Sequence, residues 1–85
     1  MGRMTIQKIA DKVTKENKVK IIEAIKQNNI SIKQNGKYNS NGLQLLFNEW
    51  HRHFPNIKQQ LSCIGCRKAV TLFWENVNKH WNLQE

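Results

Sequence analysis

Apolar side chains recur at helical intervals along most of this chain. Ile6, Ile9, Ala10 and Val13 are spaced three or four apart, which places them on one face of a helix starting near Thr5. The pattern weakens across Thr14-Lys15-Glu16-Asn17 and resumes with Ile21, Ile22 and Ile25. Either two helices meet here or one long helix carries a polar turn; since no Gly or Pro interrupts the pattern, one helix with a kink is the preferred reading, ending near Asn28-Asn29, where Asn tolerates a left-handed cap. Over residues 30–39 the period shortens: Ile30 and Ile32 alternate with Ser31 and Lys33, and Asn35-Gly36 is a hairpin-turn dipeptide. A short hairpin and an irregular loop both fit this polar connector, which carries Lys33 and Lys37.

Ser40 or Asn41 is placed to cap a second helix, whose stripe is Leu43, Leu46, Phe47, Trp50 and Phe54, stopped by Pro55. Ile57 and Leu61 can pin the segment that follows. A third helix opens at Ser62 and runs to about Trp81, with Cys63, Cys66, Val70, Phe73, Val77 and Trp81 on one face. At ~1.5 Å per residue it is a rod of roughly 28 Å, and its stripe must be buried against the Leu43–Phe54 stripe. The predicted fold is all-α: a small bundle of three main helices with a polar, hairpin-like connector after the first. It forms one domain over 1–85, with a basic N-terminal helix and connector at 1–40 and a helical core at 41–85.

Size and composition narrow the function. Eighty-five residues, 39% of them apolar, suffice for one small core but not for a two-lobed enzyme with a cleft between domains. No apolar run approaches the ~18–20 residues that cross a bilayer. Met1-Gly2-Arg3-Met4-Thr5 leads into a lysine-rich helix rather than an apolar signal core, and Ile6 stands where N-myristoylation needs Ser or Thr. These features point to a cytoplasmic protein, or to a component of a virion.

The formal charge is +8, from 14 Lys and Arg against 6 Asp and Glu. Lys and Asn (eleven each) and nine Ile dominate, all with A/T-rich codons, so codon bias accounts for part of the lysine excess. It does not account for the scarcity of acids. Residues 1–40 hold nine basic and three acidic residues, a net of +6, and residues 41–85 hold five and three, a net of +2. Arg3, Lys8, Lys12, Lys15, Lys18 and Lys26, with Lys33 and Lys37 beyond, are the candidate nucleic-acid contacts. Lys8, Lys12 and Lys15 in particular keep the spacing of a ridge. With only three Arg, contact with phosphates is better supported than reading of bases. A solvated lysine face is the simpler alternative.

Other chemistry is sparse. Cys63-Ile64-Gly65-Cys66 is a C-x-x-C at a helix start, where a thiolate is stabilised, but thioredoxin-type motifs follow a strand in an α/β fold and this chain has no such alternation. The simpler expectation is two reduced cysteines packed as small hydrophobes. His51, His53, Cys63 and Cys66 supply ligand types for zinc, yet two positions on a helix differ by about 200°, so both histidines cannot face one ion unless the helix ends at Arg52. Trp74 lies one position off the last stripe and is either cover for the edge of the core or a protein-interface residue. No phosphate loop, nucleophile elbow, metalloprotease motif or acid pair is present, so neither catalytic residues nor a cofactor is expected. Two readings stand: a non-enzymatic module binding nucleic-acid phosphates, or a protein-interaction or assembly subunit, such as a small structural protein of a phage or mobile element. The second also admits a homo-oligomer.

Overall fold

A computed structural model describes residues 3–84. The expectations about Met1 and Gly2 therefore lie outside the described residues. Four helices follow in order: α1 (Arg3–Lys12), α2 (Lys15–Asn35), α3 (Ser40–His53) and α4 (Ile64–Gln84), with no strand among the described residues. The all-helical expectation holds, while the connectivity of the first half differs from it.

The predicted single first helix is two. Thr14 has extended backbone torsions and its Oγ1 accepts the Asn17 N–H at 3.2 Å, so it caps a new helix where a kink was expected. The connector expected over residues 30–39 is reduced to residues 36–39. α2 continues through Ile30 and Ile32, both exposed, and stops only at Gly36, whose φ of 69° places it in the left-handed region. The Gly36 N–H donates to the Ile32 carbonyl, so Asn35-Gly36 ends a helix instead of turning a hairpin. Asn39, rather than Ser40 or Asn41, caps α3: its Oδ1 accepts the Gly42 N–H at 2.8 Å. α4 begins at Ile64 rather than Ser62 and extends past Trp81.

α4 is the element that the others contact. Val70, Phe73, Trp74, Val77 and Trp81 are all buried along it. Against them lie Ile9 and Ala10 of α1, Ile21, Ala24 and Ile25 of α2, and Leu43, Leu46, Phe47 and Trp50 of α3. The core is therefore built from both halves of the chain, not from residues 41–85 alone. Phe73 meets Trp50, Phe54 and Trp74 edge-on, with ring centroids 5.0–5.4 Å apart.

Trp74 corrects both sequence readings. It is fully buried in the centre of the core, and its indole N–H donates to the Leu46 carbonyl at 2.9 Å. The Trp81 indole donates to the Ala10 carbonyl at 3.1 Å. That carbonyl lies in the last turn of α1, where backbone acceptors lack a partner within the helix. The Trp50 indole reaches the Ile57 carbonyl at 2.9 Å and holds the α3–α4 connection against the core.

α2 packs chiefly on α3. Their approach is close because residue 42 has no side chain: a Cβ there would stand 2.9 Å from the Ala24 carbonyl oxygen and 3.1 Å from Asn28 Oδ1. Asn28, expected to end the helix, is instead buried within it and accepts the Asn39 N–H at 3.0 Å, tying α2 to the start of α3. In an open helix Gly→Ala stabilises by about 1 kcal/mol. Here Gly42→Ala is expected to destabilise by roughly 1–3 kcal/mol, because backbone must move to admit the methyl group. Gly65→Ala, with only Cys63 Sγ at 4.0 Å, is the tolerated control. Urea denaturation of the two variants checks this, and a Gly42→Ala protein as stable as wild type contradicts the close packing.

Candidate nucleic-acid interface

The break at Thr14 divides the proposed lysine ridge. Lys8 and Lys12 are exposed on α1, while Lys15 is the first residue of α2, so the three do not form one continuous row. The Arg3 side chain lies outside the described residues. Lys18 is half-buried with its Nζ 5.3 Å from the centre of the Trp81 ring, a cation–π contact between α2 and α4, and so is partly committed to the fold. Lys37 is exposed just beyond Gly36.

The extension of α2 creates a different row. At ~100° per residue, the 11-residue step from Lys15 to Lys26 leaves them only about 20° apart, and the 7-residue step to Lys33 returns to the same line. The three therefore share a face that points away from the buried Ile21, Ala24, Ile25 and Asn28. All three are exposed, and none forms an ion pair among the described residues. The acids of α2 lie on the neighbouring flank. Glu16 pairs with Lys20 at 3.8 Å, and Glu23 accepts a hydrogen bond from Gln27 at 3.0 Å. That flank borders an open groove of about 450 Å³ between α2 and α3, lined in part by Val19, Lys20, Ala24 and Leu45. Sequence reading named all three lysines but not their alignment, because it ended the helix before Lys33.

The four candidate zinc ligands do not converge. α3 remains helical through His53, so its histidines diverge. Exposed His51 accepts the Gln59 N–H through Nε2 at 3.1 Å. The His53 side chain is only 13% exposed and lies 4.0 Å from the buried Glu49 carboxylate, with its ring edge-on to Trp74. Among the described residues, no group of three or more His, Cys, Asp or Glu is placed to hold a metal ion.

Of the two thiols expected to pack as small hydrophobes, one does. Cys66 is half-buried against the core, but Cys63 sits at the start of α4, where its Sγ accepts the Cys66 N–H at 3.2 Å. Hydrogen bonding from the Cys66 side chain and then its backbone N–H lowers the Cys63 pKa; burial opposes this, and the Gly65 N–H and the charge of Arg67 add lesser lowering effects.

No family model matches the sequence, and comparisons with curated proteins and with solved structures return no match either.

His53 has a lowered pKa, mainly through burial, with Arg52 and Lys12 adding to the effect and Glu49 opposing it. The fold therefore favours the neutral ring. As pH falls below the ordinary value of 6.5, the unfolded chain takes up a proton first and stability is lost. The melting temperature is expected to drop between about pH 7 and 5.5, and less so in His53→Gln. Thermal melts across that range check this, and superimposable profiles would contradict it.

Proposed function

We propose that this chain is a small non-enzymatic module that docks on nucleic-acid phosphates through the outer face of α2. The observation that carries the reading is the line of Lys15, Lys26 and Lys33, exposed and without ion-pair partners among the described residues. At ~1.5 Å per residue the line spans about 27 Å. Phosphates on one strand of a duplex advance ~3.4 Å along the axis, so a rod of this length passes several of them. Lysine suits the task as a point charge on a flexible stem. It does not supply the planar fork that recognises guanine, so the affinity is expected to be nearly independent of sequence. Lys37 extends the positive surface past the end of α2, and Lys8 and Lys12 add charge from α1.

The assembly-subunit reading keeps one supporting observation. Ile57, Ile64, Leu72 and Leu83 are 47%, 79%, 55% and 83% exposed, an apolar set on α4 and the connection before it. Salt separates the two readings, because phosphate contacts release counterions and apolar docking does not.

The test is fluorescence anisotropy with short DNA and RNA from ~50 to 200 mM salt. Replacing Lys15, Lys26 and Lys33 together with Gln is expected to weaken binding about equally for all sequences. It should also flatten the log–log salt slope by about 2 to 3 units, roughly one for each lost contact. The Lys8→Gln, Lys12→Gln double variant should lose less. Wild-type protein that shifts no nucleic acid at ~50 mM salt would overturn the proposal in favour of the assembly subunit.

A further inference from the structure

The two cysteines are placed for a chemistry that neither packing nor phosphate binding uses. Both are free thiols. Cys63 lies at the junction between the α3–α4 connection and α4: its N–H donates to the Gln60 carbonyl, and its own carbonyl accepts the Arg67 N–H, each at 3.1 Å. Its sulfur faces the first turn of the helix and accepts the Cys66 backbone N–H at 3.2 Å. The two cysteines therefore stand three residues apart at one helix start, with the Cys63 sulfur against the Cys66 backbone. Arg67 is held beside them, since its Nε donates to the Leu61 carbonyl. Backbone N–H groups at a helix start together with a fixed guanidinium stabilise a thiolate. The roles are also unequal. Cys63 stands outside the core at the cap, whereas Cys66 rests against it.

We propose that Cys63 and Cys66 are a dithiol–disulfide pair that exchanges with low-molecular-weight disulfides, with Cys63 attacking and Cys66 resolving. The Cys63 thiolate bonds to one sulfur of a disulfide RSSR and expels RS⁻. Cys66 then gives up its proton and attacks the Cys63 sulfur, forming the internal S–S bond and releasing the second RS⁻. The protein loses two electrons and two protons, and RSSR becomes two RSH. The motif needs no preceding strand for this, because the chemistry depends on the helix start and on the reach between the two sulfurs.

The test exposes full-length reduced protein to oxidised glutathione without oxygen, followed by acid quenching, alkylation of remaining thiols and intact mass measurement. Wild type is expected to converge on a species lighter by two hydrogens that carries neither glutathione nor alkylating label. Cys66→Ser should retain one glutathione on Cys63. Cys63→Ser, in which Ser can still cap α4, should react roughly tenfold more slowly. Circular dichroism confirms that each variant is folded. Wild type that accumulates glutathione adducts without the internal disulfide would overturn the pair, as would unreacted thiols. Equal reaction rates for the two single variants would overturn the assignment of roles.

Discussion

The structure depends on the indole N–H groups of α4. Trp74 and Trp81 each bury a large aromatic surface and each spend their one polar group on a backbone carbonyl of another helix, Leu46 of α3 and Ala10 of α1. A buried indole without an acceptor would cost on the order of 1–3 kcal/mol, so these bonds restrict which carbonyls the two rings can face. They set how α1 and α3 lie on α4. At Ala10 the bond has a second effect, since it supplies a partner to a carbonyl in the final turn of α1 and so allows that helix to stop at Lys12. The chain can then turn at Thr14 and start α2 in a new direction.

α2 inherits its position from this arrangement. It packs on α3, where Gly42 and Asn28 bring the two backbones close, and it touches α4 through Lys18 over the Trp81 ring. With one side fixed in this way, the opposite side carries Lys15, Lys26 and Lys33 outward. Exposed apolar residues lie on α2 as well, at Val19, Ile30 and Ile32, and away from it at Ile57, Ile64, Leu72 and Leu83. The lysine line of α2 and the apolar set of Ile57, Ile64, Leu72 and Leu83 are on different elements, so variants at each can be examined separately. The thiol pair is a third feature, created where the connection from α3 meets α4.

Periodicity revealed most of the core. The stripes Leu43–Trp50 and Val70–Trp81 are buried as their spacing predicts, because those helices are long and one-sided. The errors came from residues whose local preference serves more than one structure. Gly36 adopts a left-handed conformation, which both a hairpin turn and a helix end require, so Asn35-Gly36 alone does not distinguish them. Thr14 breaks the first helix through its side-chain oxygen, without the Gly or Pro that usually marks a break. Trp74 was placed at the margin because it is one step off the stripe, yet a helix packed on three others buries a wider arc than one stripe describes. At the candidate interface the charges were legible and their alignment was not. That alignment needed the true length of α2.

The proposed role requires α2 to meet a polyanion with its lysine-bearing face. Backbone chemical-shift mapping by NMR, with a short nucleic-acid duplex titrated into the full-length protein at low salt, tests it most directly. Shifts are expected on the exposed face of α2 around Lys15, Lys26 and Lys33, with the core residues of α4 unmoved. Shifts centred on Leu72 and Leu83, or none at all, would contradict that role.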